Sequence, residues 1–442
     1  MVKSIKKVKK IIKNNWPIIF VIGISLILHS LALNELGFKY SLKSDDLHYV
    51  YSGIEFAKTG HIIMHDVLSA QIMPGLTFVI AFLSLIFGTG IKLWIALKIL
   101  YMLMGLMTIV IVYKTLRLYT NKYIATIPCI FFLAADFVWM DNLILTETPF
   151  ILLFSLLVYF TLRLSINRSK RDYILIIICY ILALFIRPNI GIYPLFLFIF
   201  LLLKKYDLRL LIKQCLVAGI VLLLVLTPWT IRNYKVFGKF IPLTYGMGNP
   251  LLLGTYQGFN YPADDEVEYQ KEVYEKAPEE LRYYLENPDE KDYMTKYYSL
   301  EYDGLIAKYR MRKWWKNDKK AMLRSYLLYK PRILIDTAFY WKEILGIKIS
   351  MLYIIRKVEL ILTAISILVI IINKKRIKEM LFLGMIYMSQ IILYAYTFAF
   401  DRYGITLFFI RYLIIGIGID VIYKMIKNRS KKNESINDSS SI

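Results

Sequence analysis

The stretch WPIIFVIGISLILHSLAL, residues 16–33, runs for 18 residues without a Lys, Arg, Asp or Glu. At about 1.5 Å of rise per residue it comes close to the ~30 Å hydrocarbon core of a bilayer, and its flanks supply the rest. Residues 144–162, 173–186, 190–203, 211–228, 358–372, 380–400 and 403–423 are also strongly apolar. The 442-residue chain is 57% hydrophobic, with a mean hydropathy of +0.50. A single soluble core has no need of so many such runs. The pattern reads as an all-α polytopic membrane protein of about 11 transmembrane helices. The basic segment VKSIKKVKK (2–10) looks like the start of a signal peptide. The apolar run after it is long and no A-x-A-like site follows, so an uncleaved first helix is expected.

The formal net charge of +23 would suit a nucleic-acid binder, but its distribution says otherwise. Six lysines lie in residues 3–13, and further basic clusters lie at 163–171, 204–213, 374–378 and 424–432. Each flanks an apolar run, as the positive-inside rule requires. Both termini are therefore expected in the cytoplasm. Residues 37–71, 139–147, 187–189 and 229–330 are then expected outside. One parity question stays open at this level. If both 72–88 and 91–113 cross, Lys114, Arg117 and Lys122 fall outside; otherwise the short 72–88 helix does not cross. Cys129, Cys179 and Cys215 lie in or beside apolar runs, with no pattern for disulfides or structural zinc.

The expected organisation is a cytoplasmic basic N-terminus (1–15) and an N-terminal transmembrane catalytic module (16–228) whose first outer loop is 37–71. An extracytoplasmic helical subdomain (229–330) follows, then C-terminal transmembrane helices (331–424). A cytoplasmic tail (425–442) ends in the low-complexity NESINDSSSI and is expected to be disordered. In 229–330, KAPEELRYYLENP and LIAKYRMRKWWKNDKKAMLRSYLLYKP read as helices closed near a proline. Trp139, Trp229, Trp314 and Trp315 are expected in the interfacial aromatic belt.

Chemistry concentrates in SDDLHYVYSGIEFAKTGHIIMHD (44–66). It holds His48, His61 and His65, three of the four histidines, with Asp45, Asp46 and Asp66. Read as a helix over 45–59, Leu47, Val50, Tyr51, Ile54 and Ala57 form an apolar stripe opposite Asp45, His48, Ser52, Glu55 and Thr59. That is an amphipathic juxtamembrane helix. Two readings of its aspartates stand side by side: helix-start charges, or functional acids at a membrane face. A second acidic turn, DFVWMDNLILTETPF (136–150), falls on the same side. So do FIRPNIG (185–191), with Arg187, and TPWTIRNYKVFGKFIPLTYG (227–246), with Arg232. Isolated arginines and acids converging on one aqueous face suit a phosphorylated lipid substrate. Guanidinium groups hold phosphate oxygens, and a carboxylate takes a proton from an incoming nucleophile. The His and Asp of 45–66 are also of types that hold divalent cations, although their spacing matches no ligand signature. No cofactor is implied beyond that optional cation.

Asp45-Asp46-x-x-Tyr49 after the first span, followed by Pro74-Gly75 opening the next helix, resembles the membrane-embedded GT-C glycosyltransferases. More narrowly it resembles glycosyltransferase family 39 and the aminoarabinose transferase-like proteins. LTETPFILLFSLLVYFTLR (145–163), LALFIRPNIGIYPLFLF (182–198), TPWTIRNYKVFGKFIPL (227–243) and RYLIIGIGI (411–419) fit its later segments in order. The resemblance implies an extracytoplasmic enzyme of the cell membrane. It would take a sugar from a polyprenyl-phosphate donor and pass it to a hydroxyl of a protein, glycolipid or wall polymer, with inversion. It implies Asp45 or Asp46 as base and Glu147 as the second acid. Arg187 and Arg232 would face the leaving phosphate, with Tyr49, His61 and His65 as further substrate contacts. The alternative reading is a polytopic lipid or solute transporter or flippase. That class places ionisable groups near the bilayer midplane, whereas these acids fall at span ends.

Overall fold

The computed structural model describes residues 2–263 and 266–439. Among them, six helices are long and apolar enough to cross a membrane: Ile12–Leu36, Ile91–Arg117, Glu147–Asn167, Leu208–Phe237, Ile377–Tyr396 and Asp401–Asn428. Lys170–Ile186, Tyr193–Leu203 and Ile349–Asn373 lie between them. The fold is thus the expected all-α membrane bundle.

Side-chain contacts fix which helix ends lie together. At one end, Lys122 Nζ donates to Lys13 O (3.2 Å) and Tyr113 Oη to Asn15 Oδ1 (3.0 Å). Lys204 pairs with Glu379 (2.8 Å), and Lys424 Nζ donates to Tyr119 O (3.3 Å). This is the basic end. At the opposite end, Lys98 Nζ donates to Tyr40 O (2.7 Å) and Leu345 N to Glu35 Oε2 (2.8 Å). The helix Ile91–Arg117 therefore starts at this far end and finishes at the basic one.

That settles the parity question. Gly75–Phe87 has 13 residues, about 20 Å at helical rise, too short for a bilayer core. It packs along Asp45–Thr59, with Gly53 against Ile80 and Phe56 against Phe78 (5.0 Å between rings). It does not cross, so Lys114, Arg117 and Lys122 join the other lysines.

The return pass over 122–140 is broken. Asn121 caps Lys122–Thr126, a 3₁₀ stretch spans Ile127–Leu133 and Ala135–Met140 follows. The 3₁₀ stretch turns Pro128, Cys129 and Phe132 into the bundle and leaves Ile127 and Ile130 exposed. Above it sits a buried ionic cluster. Arg356 holds Asp136 through both carboxylate oxygens (2.9 and 2.8 Å) and also pairs with Glu359. Glu359 accepts from Arg411 (3.1 Å) and Tyr412 (2.9 Å). The cluster locks Ala135–Met140, Ile349–Asn373 and the last helix together. Removing one partner from such a set leaves an uncompensated buried charge.

Between the Leu208–Phe237 and Ile349–Asn373 helices lie several short helices and one of 25 residues, Tyr293–Asn317. Glu279–Glu286 carries the first helix expected there. The second, expected over 305–331, is divided at Asp318, its first part ending Tyr293–Asn317 and the rest forming Lys319–Arg324, Ser325–Tyr329 and the start of Lys330–Ile335. Arg310 pins this region, stacking 3.9 Å from the Tyr256 ring and donating to Thr255 and Pro262. Gln257 clasps it to the bundle through both directions of an amide pair with Ala399 (2.8 and 2.9 Å).

Three expectations change. Trp139 and Trp314 are fully buried core residues and Trp229 is buried with its indole N–H on Leu243 O; of the four, only Trp315 is exposed. The buried face of Asp45–Thr59 is Asp46, Tyr49, Val50, Ser52 and Gly53, rotated from the apolar stripe, because close packing on Ile80 demands small residues there. The last helix continues to Ser439 through most of the stretch expected to be disordered; residues 440–442 lie outside the described residues.

Candidate active site

A cavity of about 300 Å³ opens at the end opposite the basic one. Asp45, Tyr49, His65, Arg187, Asn189, Tyr394, Arg402 and Tyr403 line it. The charged residues around it come from helix ends. Asp45 begins Asp45–Thr59, a helix closed by Gly60 in the left-handed conformation (φ 75°). Glu147 begins Glu147–Asn167. Arg187 follows Lys170–Ile186, where Pro188 prevents the helix from continuing. Arg402 sits at the break between the last two long apolar helices.

Arg402 organises the acids. Its Nη1 lies 2.9 Å from Asp45 Oδ2 and its Nε lies 2.8 Å from Glu147 Oε1. Arg187 also pairs with Glu147 Oε1, and donates to Thr146 Oγ1 (2.8 Å) and Tyr394 Oη (3.4 Å). Glu147 is wholly buried beneath the two guanidinium groups, and its Oε2 has no hydrogen-bond partner among the described residues. Asp45 remains about one-third exposed. Tyr394 and Tyr403 stack (4.7 Å, 20°) under Arg187. Asn189 fixes that wall by donating to Tyr394 Oη (2.8 Å) and Gln390 Oε1 (2.5 Å). Burial, reinforced by the Asp45 charge, raises the Tyr49 phenol well above its ordinary range, so Tyr49 stays a neutral donor.

The other candidates are placed differently. Asp46 lines no part of the cavity. Its carboxylate accepts from the backbone N–H of Leu42 (2.7 Å), Leu47 (3.0 Å) and Ser44 (3.2 Å), tying the corner before the helix. Arg232 does not line the cavity; it donates to Ser69 O (2.8 Å) and Ile62 O (3.3 Å) and so staples the small hairpin Ile63–Met64/Val67–Leu68. The hairpin's two-residue turn, His65–Asp66, has both residues at positive φ (52° and 64°), the geometry of a type I′ connection. This turn aims His65 at the cavity rim, 4.5 Å from the His48 ring. Burial, with His48 and Lys296 nearby, lowers the His65 pKa. His61 is exposed, and its backbone N–H donates to Thr59 Oγ1 (3.1 Å). Among the described residues no group of three or more His, Cys, Asp or Glu side chains is placed to hold a metal ion.

Sequence reasoning missed Arg402, Asn189, Gln390, Tyr394 and Tyr403. The one available signal was FAFDRYG (398–404), a charged pair between the apolar runs 380–400 and 403–423.

A family model described as dolichyl-phosphate-mannose-protein mannosyltransferase matches residues 73–231. Among solved structures, the chain is similar to the archaeal oligosaccharyltransferase AglB from Archaeoglobus fulgidus, in complex with an inhibitory peptide and a dolichol-phosphate. Identity is 14%, covering 96% of this chain and 52% of that one, with a TM-score of 0.54. The chain thus spans about half the length of AglB. It is also similar to ArnT from Cupriavidus metallidurans bound to undecaprenyl phosphate, at 12% identity over 91% of this chain and 77% of that one, with a TM-score of 0.42. No curated protein matches. The chain has the GT-C membrane glycosyltransferase fold, as its motifs led us to expect.

Proposed function

We propose that the chain is an integral membrane glycosyltransferase that moves a sugar from a polyprenyl-phosphate donor to an acceptor hydroxyl on the extracytoplasmic face. The observation that carries this reading is the single cavity in which Arg402 bridges Asp45 and Glu147 beside Arg187. In the cavity two guanidinium groups face two carboxylates. A phosphodiester entering the cavity offers Arg402 a bidentate partner in place of Asp45. Asp45 is then released to accept the proton of the acceptor hydroxyl. The hydroxyl oxygen bonds to the anomeric carbon as that carbon's bond to the phosphate oxygen breaks. The electron pair leaves with the lipid phosphate, whose added negative charge Arg187 and Arg402 face. Glu147, enclosed by both arginines, serves as the buried counter-charge that holds them in place. A single exposed carboxylate acting as base suits a one-step displacement, which inverts the anomeric centre.

The carrier's tail has an apolar place to lie. A groove of about 190 Å³ runs between the helices Glu147–Asn167, Lys170–Ile186, Tyr193–Leu203 and Leu208–Phe237. Its upper wall, at Tyr180 and Pro194, adjoins the turn that carries Arg187; Tyr180 Oη donates to Gly191 O (3.2 Å). The transport reading is less supported. Among the charges buried within the bundle, Asp136, Arg356, Glu359 and Arg411 are paired with one another, and His29 is paired with Asp141 (3.0 Å).

Binding of polyprenyl phosphate to the purified protein tests this arrangement. Arg187→Ala and Arg402→Ala should each weaken binding by at least tenfold, about the 1.4 kcal/mol of a modest charge-assisted contact. Asp45→Asn should bind as well as wild type or better, because it removes the competitor for Arg402. Unchanged binding in both arginine variants would remove the phosphate from this cavity.

A further inference from the structure

The basic end of the bundle holds a second polar recess, of about 630 Å³, far from the cavity just described. Three separate segments form it. Lys204 comes from the end of Tyr193–Leu203, Lys374, Lys375, Arg376 and Lys378 from the turn between two long helices, and Lys424 from the last helix. Among the described residues lining it, two carboxylates, Glu379 and Asp420, are the opposing charges, and both are nearly fully buried. Each is already committed. Glu379 pairs with Lys204 (2.8 Å) and Arg376 (3.6 Å), and Asp420 with Lys424 (2.6 Å). These pairs orient the surrounding cations and leave the recess with a strong surplus of positive charge.

Generic positive-inside charge is spread around helix ends and needs no shape. This recess has one. Arg376 is stacked 4.6 Å from the Tyr119 ring, and Lys424 donates to Tyr119 O. Lys378 donates to Leu203 O (2.6 Å). The turn holds both Lys374 (φ 53°) and Arg376 (φ 61°) in the left-handed region, which non-glycine residues seldom occupy. The cations are thus held by packing and ion pairs around a concave space. The bounding helices expose apolar side chains there: Ile372 is 75% exposed, and Leu202 and Leu203 are about 40% exposed. A molecule seated in the recess therefore meets cations at its head and apolar side chains beside it. Basic pockets between transmembrane helices at this kind of surface bind anionic lipid headgroups.

We propose that this recess binds the phosphate headgroup of an acidic phospholipid, its acyl chains lying against Ile372, Leu202 and Leu203. The proposal is independent of the reaction assigned above. Native mass spectrometry of the full-length, delipidated protein tests it, with phosphatidylglycerol, phosphatidylcholine and inorganic pyrophosphate as separate probes. Wild type should retain phosphatidylglycerol at least tenfold more strongly than phosphatidylcholine. The variant Lys374→Asn/Lys375→Ala/Lys378→Ala keeps the buried ion pairs and supplies Asn where φ is positive. It should lose that preference. Lys170→Ala/Arg171→Ala, which removes cations at the same end outside the recess, should keep it. Equal loss in both variants, or loss in neither, would overturn a defined site. Pyrophosphate held as tightly as phosphatidylglycerol would overturn the lipid assignment. Thermal unfolding of each variant, checked beforehand, separates loss of the site from loss of the fold.

Discussion

Asp45 and Asp46 are neighbours in sequence with different work. Asp46 spends both oxygens on backbone N–H groups, whereas Asp45 meets only Arg402 and the cavity. Sequence could not separate them, because both suit a helix start. Only the three-dimensional corner at Leu42–Leu47 shows which one is turned inward. Lys330 is another residue whose surroundings decide its behaviour. It is fully buried, lies 3.7 Å from the Tyr326 ring and donates to Thr397 O (3.2 Å). Burial pushes its pKa down to about 7. In the unfolded chain the amine keeps its ordinary value near ~10.4, so between these pH values the unfolded state binds the extra proton. Stability from this group therefore rises as pH climbs from about 7 toward 10, and the cost of the buried charge is fullest below 7. Lys330→Met should raise the melting temperature more at pH 6 than at pH 9.5. An equal shift at both values would contradict this account of the group.

The short helix Asp401–Gly404 sets the position of Arg402, and a close backbone approach sets the position of the helix. A Cβ built on Gly404 would lie 2.3 Å from Leu334 O, a backbone atom with little freedom to move. Gly404→Ala should therefore cost roughly 1–3 kcal/mol and, by displacing Arg402, lower transfer activity in the folded fraction. Gly384→Ala, on a long helix with nothing within 4 Å of the added methyl, should leave both unchanged. Activity assays normalised to melting curves would check the pair. Elements of this kind divide by how local their signal is. Asp45–Thr59 was legible because its acidic start and glycine end lie within 16 residues of sequence. Arg402 was not, because its two carboxylate partners lie 255 and 357 positions away. Arg232 was legible as an arginine at a span end. Its task, holding the carbonyls of Ile62 and Ser69, depends on a hairpin whose turn has no glycine to announce it.

The molecule as a whole is polarised, with its lysine-rich turns at one end and the cavity of Asp45, Arg187 and Arg402 at the other. Apolar runs and basic clusters made that polarity readable from the sequence. The course of 72–117 was not readable, because a 13-residue apolar helix looks the same whether it dips or crosses. If the basic end is cytoplasmic, single cysteines at Ser41 and Lys375 in a Cys215→Ser background should label oppositely. An impermeant maleimide added to intact cells should modify position 41 and spare position 375; the reverse pattern would place the cavity inside. The central claim is that Asp45 removes the acceptor's proton in a cavity where arginines hold the lipid phosphate. The most direct measurement is single-turnover sugar transfer from a polyprenyl-phosphate donor by Asp45→Asn and Asp46→Asn, each with donor binding measured in parallel. Asp45→Asn should bind donor normally yet transfer at least ~10²-fold more slowly, the scale of a lost general base. Asp46→Asn should keep its transfer rate per folded molecule. Full transfer by Asp45→Asn would contradict the account.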